Sequence, residues 1–247
     1  RELVRNPTSE KAWKSQKVRF FKSKFTVNPS FKYKPIKINP YELTKSLHAI
    51  DTTKIDDITI RHLYESVVTG CIDKINLLSS IGTDKFLYNS LRYFGRPNKI
   101  DIRNAEYVLL LPEIKEENIR AQRFGVDKAK QVFQESFESY GFKGKIKVDK
   151  KSLSTVMVVN STKTVVLKDG ATFSQNELRY LAEHEIGVHM VTTMNATNNK
   201  LKIFSVGLPL NTLTGEGMAV LSEYLSGNFT MNRLRELALR VVAVDLM

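Results

Sequence analysis

Two histidines five residues apart constrain this chain more than any other feature of its sequence. His184 and His189 enclose the segment Glu-Ile-Gly-Val, within a stretch that is expected to be helical. In a regular α-helix five residues turn the face by roughly 140°, too far for two side chains to bind one metal ion. A widened turn with i→i+5 hydrogen bonds would return both imidazoles to one side, and Gly187 lowers the steric cost of that distortion. The spacing therefore predicts a widened helix in which both histidines bind one metal ion. The alternative is a histidine pair that binds no metal ion.

A third ligand is expected, because a catalytic zinc ion usually has three protein ligands and one water. Glu216 lies in a Gly-Glu-Gly segment near the start of a later predicted helix, where Gly215 and Gly217 leave room for close packing. Glu223 follows seven residues on, on about the same helix face. We interpret Glu216 as the ligand and Glu223 as a hydrogen-bond partner of a ligand histidine. The alternative, with Glu223 as the ligand, stays open.

Glu185 is adjacent to a predicted ligand and has a different predicted role. Zinc lowers the pKa of water toward about 7, so a neighbouring carboxylate can take its proton and pass it to a leaving amine. The pattern predicts Glu185 as the catalytic base of an amide hydrolysis with one Zn²⁺ per chain. His48 and His62 lie away from these motifs and are interpreted as surface or structural residues.

Around these motifs the chain predicts an α+β fold that is mostly helical. Residues 41–142 are predicted to be mainly helical, with five helices: Pro40–Ala49, Ile58–Leu78, Asp84–Phe94, Ile102–Leu111 and Asp127–Tyr140. Short β-branched runs then predict three strands in succession: Lys145–Val148, Thr155–Val159 and Thr164–Leu167. Asn160–Ser161 is the predicted hairpin link between the last two. A small sheet thus precedes the helix that carries the histidines.

The predicted active-site helix has a clear start signal. Ser174 and Glu177 form a capping-box pattern, and the helix is expected to reach about Met194. A second helix is expected from Thr214, as N-cap, to about residue 226, and a last one from Met231 onward. Residues 143–247 therefore hold the sheet and the active-site helices, and residues 41–247 form one predicted domain. The chain ends within a helix-like stretch, which predicts that this domain continues further.

The charge is concentrated in the first 40 residues. They hold eleven Lys and Arg and two acidic residues, so they carry +9 of the formal net charge of +12. Their prolines interrupt any long helix, although a short basic helix is expected within Trp13–Phe25. We interpret residues 1–40 as a basic arm, by default a solvated tail. The alternative is an arm that binds an acidic polypeptide tail or nucleic acid, but no zinc-finger or RNA-recognition signature favours nucleic acid.

Cysteine usage and hydropathy predict the compartment. Cys71 is the one cysteine, which excludes an internal disulfide framework and agrees with a reducing environment. No apolar run approaches the roughly 18 residues needed to cross a bilayer, and the first residues lack the apolar core of a secretory signal. We therefore expect a cytoplasmic protein without membrane insertion.

The two motifs also resemble those of a known family. His184-Glu-Ile-Gly-Val-His189 and Thr214-Gly-Glu-Gly-Met-Ala-Val-Leu-Ser-Glu-Tyr224 are similar to motifs of the QEGLA-motif zinc peptidases, which include the microtubule-associated tyrosine carboxypeptidases and bacterial relatives. Gly207-Leu-Pro209, ahead of the second motif, also fits, and Val27–Tyr33 and Tyr93–Pro97 are weaker similarities. Gly215 and Met218 depart from the family's Gln and Leu, and neither is a predicted ligand.

This resemblance implies a zincin-like metallopeptidase with His184, His189 and Glu216 as zinc ligands and Glu185 as the base. It further implies a carboxypeptidase of tyrosine type acting on a polypeptide; eukaryotic members remove a C-terminal Tyr from tubulin. The alternative is a non-catalytic metal-containing protein that regulates or binds and so affects gene expression.

Two further features of substrate binding are expected. A carboxypeptidase needs a cation for the terminal carboxylate of its substrate, and Arg179 and Lys202 lie near the motifs in sequence. An edge strand can bind an extended peptide by adding it to the sheet. Val156–Val159 or Thr164–Leu167 would be that edge.

Overall fold

A computed structural model describes the following parts of the chain: residues 10–33, 39–112, 122–150, 152, 154–209 and 211–247. These parts form helices and a three-stranded sheet, which confirms the α+β class. The chain divides into two compact units, Arg1–Gly95 with Val206–Pro209 and Arg96–Ser205 with Leu210–Met247. The predicted boundaries at residues 40 and 142 stay predictions.

The first unit is helical in its described part. Its elements are α1 (Glu10–Lys22), α2 (Pro40–His48), a short 3₁₀ turn (Thr52–Lys54), α3 (Ile58–Ser79) and α4 (Phe86–Phe94). The carboxylate of Asp57 accepts hydrogen bonds from the backbone N–H groups of Thr59 and Ile60, which starts α3. α3 packs against both α2 and α4. The short basic helix and the three helices predicted between residues 40 and 94 are thereby confirmed.

The second unit contains the sheet and all the predicted site residues. Its elements are α5 (Lys99–Leu110), α6 (Val126–Ser139), β1 (Lys145–Asp149), β2 (Val156–Val159), β3 (Thr164–Lys168), α7 (Gln175–Ala182), a π-helical segment (Glu183–Met190), α8 (Val191–Asn198), a 3₁₀ turn (Lys202–Ser205), α9 (Asn211–Leu225) and α10 (Met231–Asp245). α7, the π segment and α8 follow one another without a break. Together they form the predicted active-site helix.

The predicted boundaries of three helices are wrong by three or four residues. α5 begins at Lys99 and not at Ile102, because the side chain of Asn98 accepts hydrogen bonds from the N–H groups of Ile100 and Asp101 and caps the helix there. The active-site helix continues past Met194 to Asn198, because the Thr193 and Thr197 hydroxyls donate to backbone carbonyls four residues earlier and fit within the helix. α9 begins at Asn211, so Thr214 lies inside the helix and is not its N-cap. Several residues of N-cap type occur in succession there, so residue preference alone could not locate the start.

The strand order decides which strand is free to bind a substrate. β3 is central, parallel to β1 and antiparallel to β2. The prediction of Thr164–Leu167 as an edge is therefore wrong, since β3 pairs on both sides and its first four residues are buried. β2 lies at the edge and has no second partner strand among the described residues. A 3₁₀ turn, Asn160–Thr162, followed by Lys163 with a φ of 49°, replaces the predicted tight hairpin link.

The core of the second unit fixes the π segment against the sheet. Ala129, Phe133 and Phe137 repeat every four residues along α6, and all three are fully buried. They pack with Ile186 and Met190 of the π segment and with apolar residues of β2 and β3. The side of the segment that carries these apolar residues is thereby fixed in the core. Across the described residues, no helix combines the length and apolar character needed to span a membrane.

Candidate metal centre

The segment with both histidines is π-helical over the eight residues Glu183–Met190. This widening brings the ring centroids of His184 and His189 to 4.9 Å from each other. The predicted distortion of the helix is therefore confirmed. A regular α-helix before it and another after it restrict the distortion to the turn that needs it.

Gly187 has a packing role that the sequence did not predict. A Cβ atom at this position would lie 2.7 Å from the Tyr140 hydroxyl and 3.0 Å from a carboxylate oxygen of Glu183. The Tyr140 hydroxyl donates a hydrogen bond of 2.8 Å to Glu183. Burial, together with this hydrogen bond, raises the pKa of Tyr140 to about 12. The missing side chain thus leaves room for a contact that ties the end of α6 to the π segment.

The structure brings the three predicted ligands together. One donor atom from each of His184, His189 and Glu216 can be chosen so that all lie within 4.8 Å of one another. The Glu216 oxygens lie 3.7 Å from Nε2 of His184 and 3.5 Å from Nε2 of His189. α9 packs against the π segment and so carries Glu216 to the histidines. The side chain of Glu216 is 59% exposed, so the cluster is open on this side.

The two glycines that flank Glu216 differ in their surroundings. A Cβ at Gly215 would lie 4.0 Å from Cε1 of His189, an ordinary van der Waals contact. A Cβ at Gly217 would meet no described atom within 4 Å. The prediction that both glycines allow close packing is therefore wrong for Gly217.

Glu223 lies behind His184 and is fully buried. Its Oε1 accepts hydrogen bonds from Nδ1 of His184 at 2.7 Å and from Nη2 of Arg233 at 2.9 Å. Its Oε2 accepts one from Nε of Arg233 at 2.9 Å. Burial would raise the pKa of Glu223, but these hydrogen bonds outweigh it and the pKa is lowered. An ionised Glu223 places the proton of His184 on Nδ1 and leaves Nε2 to face the cluster. This geometry favours Glu223 as a histidine partner over Glu223 as a ligand.

The electrostatics differ among the remaining residues of the cluster. Burial would lower the pKa of His184, but the hydrogen bond to Glu223 and the neighbouring carboxylates raise it. Burial, with a contribution from the other imidazole, lowers the pKa of His189. Burial also raises the pKa of Glu185 to about 6, against the opposing effect of His184. A carboxyl group with such a pKa can take up and return a proton near neutral pH.

A cleft of about 290 Å³ joins the edge strand to this cluster, and it is lined by Val156, Met157, Val158, Asn160, His184, Glu185, His189 and Glu216. The N–H of Lys168 donates to the carbonyl of Thr155, which lies opposite it in the register of β2 and β3. Backbone groups alternate in direction along an antiparallel strand, so those of Val156 and Val158 point away from β3, toward the free edge. The backbone of Val158 also forms a hydrogen bond with Glu185.

The comparison with known families agrees with this arrangement. A family model described as microtubule-associated tyrosine carboxypeptidase (MATCAP) matches residues 18–247, which include both motifs. The chain belongs to the MATCAP family. Membership confirms the resemblance seen in the motifs and supports an enzyme of the carboxypeptidase kind. Neither a search of curated proteins nor a search of solved structures found a match.

The two cations suggested by sequence do not lie in the cleft of this MATCAP member. Lys202 donates through Nζ to the carbonyls of Thr197 and Asn199, at the end of α8. Arg179 lines a separate cavity of about 620 Å³, to which α6 and α9 also contribute. The described residues that line the cleft include no Lys or Arg. Neither residue is therefore supported as the site for a substrate carboxylate.

Arg233 is the functional candidate that sequence reasoning missed in this MATCAP chain. It lies on α10, its side chain is 12% exposed, and its Cζ is 5.6 Å from the centroid of the Tyr180 ring. The hydrogen bonds to Glu223 raise the pKa of Arg233, so it stays charged. The available signal was the expected burial of Glu223, because a buried carboxylate needs a charged or polar partner.

Proposed function

We propose that this chain is a zinc-dependent carboxypeptidase with a zincin-like active site, which removes a C-terminal residue, tyrosine by preference, from a polypeptide. The observation that carries the proposal is the convergence of His184, His189 and Glu216 on one side of a π-widened helix. Membership of the MATCAP family supports the carboxypeptidase class and the tyrosine preference.

The donor set fits a zinc ion. Two imidazoles and one carboxylate form a common catalytic zinc site. Ligand atoms about 2.0–2.2 Å from one tetrahedral ion lie about 3.3–3.6 Å apart. Oε1 of Glu216 lies 3.5 Å from Nε2 of His189, within that range, and Oε2 lies 3.7 Å from Nε2 of His184, slightly beyond it. His184, His189 and Glu216 would hold the ion. When bound, zinc supplies Lewis-acid polarisation of the scissile carbonyl and acidifies water.

Glu185 would carry the proton in this reaction. It lines the cleft beside both histidines, and burial raises its pKa to about 6. At neutral pH its carboxylate takes a proton from the attacking water, and the resulting acid returns that proton to the leaving amine. Glu223, hydrogen-bonded to Nδ1 of His184, keeps Nε2 of that imidazole directed at the cluster.

β2 would bind the substrate. The backbone groups of Val156 and Val158 point to the free edge, where the N–H of Val158 donates to Glu185, and both residues line the cleft. An extended peptide added to this edge would run alongside Glu185 and the histidines. An acidic C-terminal tail is the proposed kind of polypeptide, because residues 1–40 carry +9 of the net charge. A cytoplasmic location remains a prediction from the one cysteine.

Metal content and product masses test the proposal together. Elemental analysis of protein purified without chelators should find about one zinc per chain. A library of C-terminally varied peptides, read by mass spectrometry, should lose single C-terminal residues. Glu185→Gln should retain zinc and slow the reaction by about 10²–10⁴-fold. Glu106→Gln removes an exposed carboxylate of α5 and should leave the rate unchanged.

Three results would contradict the proposal in different ways. Protein without zinc would remove the metal-dependent mechanism. Internal cleavage of the peptides would remove the carboxypeptidase subtype. Equal rates for wild type and Glu185→Gln would favour the non-catalytic alternative, in which the chain binds metal and acts as a regulatory protein.

A further inference from the structure

The side of the cluster opposite the cleft contains a buried chain of charged residues. Glu223 is fully buried and receives hydrogen bonds from His184 and Arg233. Arg233 reaches it with two different nitrogens, Nε to Oε2 and Nη2 to Oε1, each at 2.9 Å. Such a bidentate contact defines the plane of a carboxylate as well as its position. Arg233 thus restricts how the Glu223 carboxylate can turn.

Arg233 is itself held from other directions. The remaining guanidinium nitrogen of Arg233, Nη1, donates a hydrogen bond to Glu236 at 3.1 Å. Glu236 also accepts a hydrogen bond from Arg240. Cζ of the guanidinium lies over the ring of Tyr180, 5.6 Å from the ring centroid. A guanidinium is a planar fork, so its orientation is transmitted to any carboxylate that it binds with two nitrogens. Lysine could supply the positive charge at this position but not two nitrogens held in one plane.

This restriction matters because two carboxylates lie close to His184. Glu216 and Glu223 are seven residues apart on α9, and each approaches a different nitrogen of the same imidazole. A Glu223 free to turn could leave Nδ1 and compete with Glu216 for a metal ion. His184 would then lose the partner that directs Nε2 to the cluster.

We propose that Arg233 is a positioning residue of the metal centre: it holds Glu223 against Nδ1 of His184 and leaves Glu216 as the carboxylate that faces the metal-binding nitrogens. The inference rests on the proposed metal site. It assigns Arg233 no contact with substrate or metal, and its whole effect passes through Glu223.

Zinc affinity, measured by competition with a chelating dye, tests this role without any assay of activity. Arg233→Met should weaken zinc binding about 10–100-fold, as removal of an outer partner of a ligand typically does. The visible absorption spectrum of the Co²⁺-loaded variant should also differ from that of wild type, because the ligand arrangement changes. Arg103→Met is the control, since it removes an exposed arginine of α5 that is not part of this network. It should change neither measurement.

A second pair of variants keeps the test decisive if Arg233→Met does not fold. Arg233→Lys retains the charge and should still weaken zinc binding and alter the Co²⁺ spectrum. In a Glu223→Ala background, which has no side-chain acceptor for Arg233 or His184, Arg233→Lys should change zinc affinity by less than about twofold, because an effect that passes through Glu223 cannot add to its loss. The same fold-loss in both backgrounds would overturn the proposal.

The remaining outcomes separate this proposal from the proposed function. Wild-type protein that binds zinc, together with Arg233→Lys of equal affinity and an unchanged Co²⁺ spectrum, would overturn the role of Arg233 alone. Wild-type protein that binds no zinc would overturn the metal centre and, with it, the positioning role.

Discussion

The two sides of the metal-binding cluster are built differently. Behind His184, both oxygens of Glu223 accept hydrogen bonds and the carboxylate is fully buried. In front of His189, Glu216 is 59% exposed and the edge strand directs backbone groups into the cleft. The Glu223 carboxylate behind His184 has its hydrogen bonds supplied by the protein. Glu216 and the edge strand instead offer groups that a metal ion and a peptide could use. The buried side can therefore hold the imidazole in place while the open side receives the substrate.

The difference has an energetic consequence. Removing one partner of a buried ion pair is strongly destabilising, because it leaves the other charge buried without compensation. An exposed carboxylate near two imidazoles contributes little to folding, since water solvates it equally well. We therefore expect substitutions behind His184 to affect stability, and substitutions in front to affect metal and substrate binding.

The largest expected effect comes from a matched pair of substitutions on α9. Glu223→Gln should lower the free energy of unfolding of the metal-free chain by about 3 kcal/mol, because it removes the buried counter-charge of Arg233 and leaves that guanidinium with the half-exposed Glu236 as its ionic partner. Glu216→Gln should change it by less than about 0.5 kcal/mol. Urea unfolding followed by circular dichroism measures both. Similar losses for the two variants would contradict the stated difference between the buried and the exposed carboxylate.

The local features of the helix that carries the histidines could be predicted from the sequence. The i→i+5 spacing of the histidines required a widened helix, because no regular turn aligns residues five apart. Ser174 and Glu177 located the start of that helix through their capping box, which the structure contains. Such signals involve residues within one turn of each other, so they can be found without knowledge of the fold.

The contact between Arg233 and Glu223, unlike the expected one between Glu223 and a histidine, could not be predicted in this way. Arg233 and Glu223 lie on different helices, and Tyr140 meets Glu183 across 43 residues of sequence. The central position of β3 was missed for a related reason, since periodicity identifies a strand but not its neighbours. Each of these features depends on how separate elements pack, and helix or strand patterns do not specify that.

The second prediction compares a glycine of the π segment with a glycine next to Glu216. Gly187→Ala should destabilise the chain by less than about 1 kcal/mol, because the added Cβ must displace the Tyr140 hydroxyl at the far end of its side chain, and the helical preference of alanine offsets part of that cost. Gly217→Ala should instead stabilise it by about 0.5–1 kcal/mol, since Gly217 lies inside α9 and its Cβ would meet no described atom nearby. Thermal unfolding of both variants measures the opposite signs. In a Tyr140→Phe background Gly187→Ala should cost less, and an unchanged cost would show that the collision is elsewhere.

The smallest expected effect tests the open side through the substrate. Along an extended peptide bound to β2, alternate amides face the strand and the intervening ones face away. N-methylation of an amide that faces β2 removes one hydrogen bond, worth about 1 kcal/mol, and should raise KM about fivefold. N-methylation of the next amide along the peptide is the matched control and should leave KM nearly unchanged. The experiment uses any peptide that the chain hydrolyses, with each amide before the scissile bond methylated in turn. An effect that alternates with a period of two supports strand addition at Val156 and Val158, whereas equal effects at successive amides would mean that the peptide binds without pairing to β2.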